Sequence, residues 1–248
     1  MIHFIGAGPG APDLITLRGA RLLAQSSLVI YAGSLVNPEL LALCPGSARV
    51  LNSAGMTLEE IVEAMRSARP EETVVRLHTG DPSLYGAIRE QMDALDALKL
   101  PYEVVPGVSS MSAAAAALRA EYTLPGVSQT VIISRMAGRT PVPERESLRS
   151  LAAHGATMVL FLSAGMIPEV CRELIAGGCA PDTPAAAVQR ASWPDERIVR
   201  ATLETLPEKA CGISRTAIIT VGSFLSGSQL RSLLYDPQFS HGYREATP

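Results

Sequence analysis

The stretch Met1-Ile2-His3-Phe4-Ile5-Gly6-Ala7-Gly8-Pro9-Gly10-Ala11 decides the fold class of this chain. Its apolar run at 2–5 predicts a buried β-strand, and the glycine-rich turn after it leads into an amphipathic helix over residues 16–24. A second apolar run follows at 28–31. A strand, a tight turn, a helix and another strand in this order predict an α/β fold with a mainly parallel sheet.

The alternation of strands and helices continues along both halves of the chain. In the first half it predicts strands at 73–77 and 102–105 and helices at 57–68, 87–98 and 109–119. In the second half it predicts strands at 129–134, 157–162, 185–189, 197–202 and 217–221 and helices at 144–153 and 167–176. The short connections between the last three strands favour hairpins and therefore a mixed sheet. We expect two α/β domains, residues 1–120 and 121–239, and a tail at 240–248.

The composition excludes several classes of protein. With 248 residues, 47% of them hydrophobic and 18% charged, the chain can build large cores and is neither disordered nor a coiled coil. A net charge of −3 and only one Trp, six Tyr and four Phe argue against a nucleic-acid partner. We expect no membrane span, because no apolar run reaches the ~18 residues that one needs, and no signal peptide. The expected location is the cytoplasm.

No metal site is predicted. The four cysteines, at positions 44, 171, 179 and 211, and the four isolated histidines lack the spacing of metal ligands.

The first loop, residues 6–11, fits the G-x-G-x-x-G/A pattern of dinucleotide-binding proteins letter for letter. Pro9, however, removes a backbone N–H from the turn that would hold a pyrophosphate. No acidic residue follows the second predicted strand to bind a ribose. The loop is therefore more typical of a plain tight turn, or of a binding loop for another ligand, than of an NAD site, which remains the third alternative.

The second and third loops follow two further predicted strands. His78-Thr79-Gly80-Asp81-Pro82-Ser83-Leu84-Tyr85-Gly86 leaves its strand at the carboxyl end, where ligands bind to open α/β sheets. Gly80 permits close backbone approach, and Asp81 either accepts from a ligand or caps an ordinary turn. In Pro106-Gly107-Val108-Ser109-Ser110, Ser109 either caps the next helix or offers its hydroxyl to a ligand.

The three loops, in this order and at this spacing, resemble the signatures of the tetrapyrrole (corrin/porphyrin) methyltransferases. The resemblance covers residues 1 to about 235. The first loop matches V-G-A-G-P-G-D, with Ala11 in place of the common Asp; the second matches the family's G-D-P loop and the third its P-G-[IV]-[TS]-[SA]. The resemblance implies a two-domain α/β fold with a ligand cleft between the domains, S-adenosylmethionine (SAM) as cofactor, a small tetrapyrrole substrate and a homodimer.

The family's cofactor contacts can be carried over position by position. They fall on Pro9, Gly80, Asp81, Leu84, Ser109, Ser110, Leu162, Ala191, Thr216 and Ala217. Leu162 stands where many relatives have Met, and Arg190-Ala191 stand where many have a polar residue followed by Gly.

One departure from the family pattern concerns the substrate. Members that methylate uroporphyrinogen carry Y-D-R-L after the second strand, and that Asp is thought catalytic. Here the segment is Tyr31-Ala32-Gly33-Ser34-Leu35-Val36, with Ala32 at the Asp position. The segment resembles the branch of the family that methylates ring carbon 11 of a later precursor of cobalamin.

The resemblance implies catalysis mainly by positioning. The SAM sulfonium is already a good leaving group, so the methyl must be held in line with the ring carbon at about 3–3.5 Å. The catalytic residues stay unknown; His78, Ser34 and Tyr85 are candidates for lining the macrocycle site. Because the substrate carries several carboxylates, Arg89, Arg135 and Arg139 are candidate substrate-binding residues, with solvated surface arginines as the alternative.

Three other functions are compatible with these patterns. The nearest is a methyltransferase of the same fold that acts on another corrin carbon or on diphthamide. From a different class come a non-catalytic SAM- or nucleotide-binding protein and an NAD oxidoreductase. Turnover of a tetrapyrrole separates the enzyme from the binding protein, and NAD binding without SAM binding would indicate the oxidoreductase.

Overall fold

In the computed structural model, which describes residues 1–227 and 231–247, the first strand predicted from the sequence lies inside a parallel sheet. The sheet contains β1 (Ile2–Gly6), β2 (Leu28–Tyr31), β3 (Arg49–Asn52), β4 (Val74–His78) and β5 (Tyr102–Val105). Their order is β3-β2-β4-β1-β5, and every neighbouring pair is parallel. The carboxyl ends of β2, β4, β1 and β5 are therefore neighbours at one edge.

Helices cover both faces of this first sheet. Helix α1 (Leu17–Ala24) packs in the apolar cluster on one face, α2 (Leu58–Arg66) and α3 (Arg89–Ala97) pack in the cluster on the other, and α4 (Ser110–Leu118) follows β5 along the chain. The predicted capping box before α2 is present, with Thr57 and Glu60 each accepting from the other's backbone N–H. Successive residues of β1 point into two separate apolar clusters. Phe4 packs in one cluster and Ile5 in the other, and both side chains are fully buried. Burial of both faces explains why the central strands read as continuous apolar runs.

Two local features of the first sheet differ from the prediction. Strand β3 is not predicted, because it is an edge strand with exposed side chains at Arg49, Val50 and Asn52 and so lacks an apolar run. Helix α3 begins at Arg89 rather than at Ala87, because Ala87 has a φ of 48°, in the left-handed region that a right-handed helix excludes.

The second sheet is mixed, as predicted. It contains β6 (Val131–Arg135), β7 (Thr157–Phe161), β8 (Pro184–Gln189), β9 (Arg197–Thr202) and β10 (Ala217–Val221) in the order β6-β7-β10-β8-β9. Strands β6 and β7 are parallel, and the other neighbouring pairs are antiparallel. An apolar core joins this sheet to α5 (Leu148–Ala152), α6 (Ile167–Ala176) and the unpredicted short helix α7 (Leu206–Lys209).

The chain divides into two compact units. Unit 1 consists of Met1–Ala113 and Arg190–Glu196 and contains the parallel sheet; unit 2 consists of Ala114–Gln189 and the chain from Arg197 onward and contains the mixed sheet. The domain limits at 120 and 239 stay a prediction. Residues 228–230 of the predicted second domain and Pro248 of the predicted tail lie outside the described residues.

Candidate functional site

The three loops singled out in the sequence meet in unit 1 through their glycines. They leave the adjacent strands β1, β4 and β5, and one glycine from each loop, Gly6, Gly80 and Gly107, lies against the other two. A Cβ on Gly107 would come within 2.2 Å of the Gly80 carbonyl oxygen and 2.7 Å of Gly6 Cα. Because these neighbours are backbone atoms that cannot move aside, only glycine allows the three loops to approach so closely.

Backbone hydrogen bonds fix the first loop to the second. The Gly80 amide donates to the Gly8 carbonyl at 2.8 Å, the Gly8 amide donates back at 3.3 Å, and the Ala7 amide donates to the His78 carbonyl at 2.7 Å. Gly8 and Gly80 have φ angles of 79° and 61°, which glycine adopts without strain. The tight turn predicted for the first loop is therefore one half of a paired-loop arrangement.

Asp81 links the second loop to the third. One carboxylate oxygen accepts from the amide and hydroxyl of Ser83, and the other accepts from the Gly107 amide at 2.8 Å. Desolvation by burial opposes ionisation, but the hydrogen bonds from Ser83 and Gly107 outweigh it, and the pKa of Asp81 is lowered from its ordinary value. Asp81 is thus an ionised group that organises the loops, and each oxygen keeps acceptor capacity for a ligand.

The predicted serines lie at the start of α4. The Ser109 hydroxyl accepts from the Met111 amide at 3.4 Å, a long capping contact, and Ser110 lies next to Gly80. Leu84 is half-buried in the turn after Asp81, where its amide donates to the Asp81 carbonyl at 3.2 Å. Unit 1 therefore brings the second-loop and third-loop candidates together.

Pro9 and Ala191 belong to a second group of contacts in unit 1. Pro9 is buried in the first loop, and Ala191 is buried in the strap, our name for Arg190–Glu196. Within the strap, Trp193 donates from its indole nitrogen to the Pro9 carbonyl at 3.1 Å. The sequence gives no sign of this contact, because 184 positions separate the two residues.

The three catalytic candidates have different surroundings. Ser34 is exposed in the turn after β2, and Tyr85, with 43% of its surface exposed, has a φ of 58°. His78 is only 4% exposed. Desolvation, and then the charge of the nearby Arg76 guanidinium, lower the pKa of His78 to about 3, so its imidazole is neutral at physiological pH.

In unit 2, the remaining cofactor candidates share one end of the mixed sheet. Leu162 follows the last residue of β7, while Thr216 and Ala217 stand at the start of β10; the antiparallel register that pairs Ile219 with Leu160 brings these ends together. Leu162 has a φ of 52° and an exposed fraction of 62%, and Thr216 has a φ of 55°. Left-handed backbone at two such residues is strained and is typical of functional loops.

The three predicted substrate arginines are not equivalent. Arg89 is exposed on α3 and forms an ion pair with Asp93. Arg135 donates to carbonyls of its own loop, including that of Pro141 at 2.7 Å and that of Thr140 at 3.2 Å. Arg139 is exposed, and within the described parts of the chain its guanidinium has no hydrogen bond or ion pair. Of the three guanidinium groups, that of Arg139 therefore has the most unused donors for a carboxylate.

Sequence reasoning missed two buried side chains that hold loops in place. Asn37 donates to the Gly10 carbonyl at 2.9 Å in unit 1. Ser163, fully buried in unit 2, accepts from the Met136 amide at 2.8 Å and donates to the Phe161 carbonyl at 2.7 Å. Single buried polar side chains such as these follow no periodic pattern, so no local signal in the sequence indicates them.

The described residues contain neither a candidate membrane span nor a candidate metal site. No helix in residues 1–227 and 231–247 has the length and apolar character that crossing a membrane requires. In the same ranges, no three His, Cys, Asp or Glu side chains are grouped so that they could hold a metal ion.

Known proteins match this chain over nearly its whole length. A family model described as Tetrapyrrole (Corrin/Porphyrin) Methylases matches residues 1–207. The chain is 51% identical to the cobalt-precorrin-4 C(11)-methyltransferase of Methanocaldococcus jannaschii, over 99% of this chain and 96% of that protein. It is 48% identical to the precorrin-4 C(11)-methyltransferase of Mycobacterium tuberculosis, over 91% of each chain.

Solved structures agree with these matches. The X-ray structure of a cobalt precorrin-4 methyltransferase has a TM-score of 0.88 at 49% identity and covers 90% of this chain and 95% of its own. The uroporphyrin-III C-methyl transferase of Thermus thermophilus, complexed with S-adenosyl homocysteine, has a TM-score of 0.77 at 32% identity and covers 91% and 98%. The predicted fold class, the methyltransferase activity and SAM as cofactor are confirmed. By sequence and by fold, this chain belongs to the tetrapyrrole (corrin/porphyrin) methylases.

Proposed function

We propose that this chain transfers a methyl group from SAM to ring carbon 11 of precorrin-4 or cobalt-precorrin-4 in cobalamin biosynthesis. The observation that carries the proposal is identity of 51% and 48%, over at least 91% of each chain, with proteins named for this reaction. The uroporphyrin-III enzyme is less similar to this chain, at 32% sequence identity. Ala32, where uroporphyrinogen-methylating relatives have Asp, supports the same assignment.

The residues of unit 1 suit the amino-acid end of the cofactor. The hydroxyls of Ser109 and Ser110 lie at the N-terminal end of α4, where the helix dipole favours a carboxylate. The ionised Asp81 has acceptor capacity for an ammonium or a hydroxyl. We assign cofactor binding to these three residues and to Pro9, Gly80, Leu84, Ala191, Leu162, Thr216 and Ala217.

The chain contributes to the reaction by positioning. When bound, SAM would supply a methyl group on a sulfonium sulfur, and that sulfur would leave as the neutral thioether of S-adenosylhomocysteine without further activation. The glycine contacts and the Asp81 hydrogen bonds hold the three loops of unit 1 in one arrangement, which reduces the freedom lost on reaching a reactive geometry. Ser34 and Tyr85, both exposed, suit the wall of the macrocycle site; His78 is buried, and its carbonyl accepts from the Ala7 amide of the first loop.

Turnover with both forms of the substrate tests the function. The purified protein is incubated with SAM and either precorrin-4 or cobalt-precorrin-4, and the product is analysed by mass spectrometry and by NMR with a carbon-13 methyl label. We expect a product one methyl group heavier, labelled at ring carbon 11, and the faster substrate identifies the form that the enzyme uses. Label on another ring carbon would indicate a sister methyltransferase, and SAM binding without turnover of either substrate would indicate a binding protein.

We also propose that the chain acts in the cytoplasm as a homodimer, in keeping with the family resemblance. Light scattering on the purified protein should then give about twice the chain mass of 26.2 kDa. A mass equal to that of one chain would contradict the proposal.

A further inference from the structure

Trp193, the one tryptophan of the chain, lies against the first loop in unit 1. We infer that Trp193 is a positioning residue for SAM: it sets the orientation of the Pro9 carbonyl and keeps the first loop in its cofactor-binding form. The inference rests on the proposed function, since Pro9 is one of the residues to which we assign cofactor binding.

Two hydrogen bonds join the strap to the first loop, one at each of the residues that flank Gly10. The Trp193 indole nitrogen donates to the Pro9 carbonyl at 3.1 Å, and the Ala11 amide donates to the Ser192 hydroxyl at 3.0 Å. Between these two residues, the Gly10 carbonyl accepts from the buried Asn37 side chain at 2.9 Å. The polar groups on three consecutive residues are thus fixed by side chains from distant parts of the sequence.

The indole also explains why residue 10 is glycine. A Cβ on Gly10 would come within 2.1 Å of Trp193 Cδ1, so the ring lies directly on the backbone of the loop. Gly10 is not among the glycines with a positive φ, in contrast to Gly8 at 79°. Gly8 is needed for the turn itself, whereas Gly10 is needed to leave room for the indole.

Contacts within the strap fix the conformation that places the Trp193 ring against the first loop. Arg190 and Ser192 both have left-handed backbone, with φ angles of 50° and 70°. The Arg190 guanidinium carbon lies 4.1 Å from the centroid of the Trp193 ring, and its Nε donates to Asp195 at 2.6 Å. The Ser192 amide donates to the Glu196 carboxylate at 2.7 Å. Strained residues held by this many contacts are typical of segments whose conformation serves a function.

Two consequences follow for cofactor binding. Removing the indole N–H should loosen the Pro9 carbonyl and weaken the binding of SAM and of its demethylated product, S-adenosylhomocysteine, without changing the chemistry once SAM is bound. The cost is that of one hydrogen bond to a neutral carbonyl, about 3- to 10-fold in affinity. Since Trp193 is the one tryptophan of the chain, occupancy of the first loop should also change its fluorescence.

The first measurement uses the wild-type protein and needs no variant. S-adenosylhomocysteine is titrated while tryptophan emission and, separately, heat are recorded. We expect a saturable change in emission with the dissociation constant that calorimetry gives. A wild-type protein that binds no S-adenosylhomocysteine would overturn the proposed function and this inference with it. Binding by calorimetry with unchanged emission would overturn the inference alone.

The second measurement compares variants of the full chain. Trp193→Phe keeps an aromatic ring but removes the donor, and we expect its SAM KM to rise about 3- to 10-fold while kcat stays at the wild-type value. Tyr243→Phe, which removes a polar group from a side chain that is 99% exposed, is the matched control and should leave both constants unchanged. A wild-type SAM KM in Trp193→Phe would overturn the inference.

A double-mutant cycle separates positioning from general loss of structure. Gly10→Ala should weaken S-adenosylhomocysteine binding in the wild-type background, because the added Cβ meets the indole. In a Trp193→Ala background that contact is absent, so the same substitution should have a much smaller effect. Equal effects in both backgrounds would show that Trp193 and the first loop act independently and would overturn the inference.

Discussion

Each of the two sheets carries loops at one end, and the loops of each sheet are held in place by different means. In unit 1, Gly6, Gly80 and Gly107 bring three loops into backbone contact, and backbone hydrogen bonds fasten the first loop to the second. In unit 2, side chains do this work: Ser163 joins the loop after β6 to the turn after β7, and Arg135 folds back onto its own loop. The comparison shows that unit 1 depends on glycines for the close approach of its loops, to which Asp81 adds a side-chain link, whereas unit 2 depends on side-chain hydrogen bonds.

The difference has consequences for how each region tolerates change. A backbone contact between glycines has no flexible atom that can move aside, so one added methyl group must displace a strand end or a loop. A side-chain contact can be removed without any steric clash, and its loss costs the hydrogen bonds alone. We call the loop-bearing end of the parallel sheet in unit 1 the first edge, and that of the mixed sheet in unit 2 the second edge. Substitutions at the first edge should therefore be more damaging than substitutions at the second.

The largest effect is expected for Gly107→Ala. Its Cβ would lie 2.2 Å from the Gly80 carbonyl oxygen, and we expect the free energy of unfolding to fall by about 3 kcal/mol, measured by urea unfolding. Gly46→Ala is the matched control, because no heavy atom lies within 4 Å of its added Cβ. If the two variants were equally stable, the glycine contacts would not be what holds this edge together.

The sequence predicts the first edge far better than the second. Strands β1, β4 and β5 are short apolar runs, and the glycines and prolines after them are local signals. In unit 1 the exception is the strap, because no local pattern reports a contact between residues 184 positions apart. In unit 2 the direction of Arg135 could not be predicted, since an arginine in a Gly-Pro loop can face either solvent or its own backbone until that backbone is folded.

The next effect depends on pH and concerns the side chain of His78. Its carbonyl holds the first loop, but among the described residues its Nε2 has no hydrogen-bond partner. Burial, and then Arg76, lower its pKa from 6.5 to about 3, so below pH 6.5 the unfolded chain binds a proton that the folded chain does not. Stability is therefore complete above pH 6.5 and falls by about 1.4 kcal/mol per pH unit below it, down to the folded pKa.

His78→Gln removes this titration and tests the comparison at unit 1. Relative to the variant, the wild type should lose about 2 kcal/mol between pH 6.5 and 5, in urea unfolding at a series of pH values. His154→Gln, at an exposed histidine, should follow the wild-type curve. A His78→Gln curve that runs parallel to the wild type would mean that the folded and unfolded chains bind this proton equally, so that burial does not lower the pKa of His78.

A similar but pH-independent loss is expected at the second edge for Ser163→Ala. The substitution removes a fully buried hydroxyl that accepts from the Met136 amide and donates to the Phe161 carbonyl, at a cost of about 2 kcal/mol in the free energy of unfolding. Ser67→Ala, at an exposed serine that bonds its own helix, is the control and should cost less than about 0.5 kcal/mol. A loss larger than that of Gly107→Ala would reverse the comparison.

The smallest effect separates the two arginines of the second edge. Arg135 is occupied by carbonyls of its own loop, whereas Arg139 is exposed, so Arg139 should contribute to substrate binding and Arg135 to loop structure. Steady-state kinetics should show a tetrapyrrole KM about 3-fold higher in Arg139→Ala, with an unchanged SAM KM, since an exposed ion pair contributes less than about 1 kcal/mol. Arg145→Ala, at another exposed arginine of the same segment, should leave both constants unchanged. Because Arg135→Ala frees a loop instead of removing a contact to substrate, it should lower the unfolding temperature, and a rise in tetrapyrrole KM without that loss would assign Arg135 to the substrate instead.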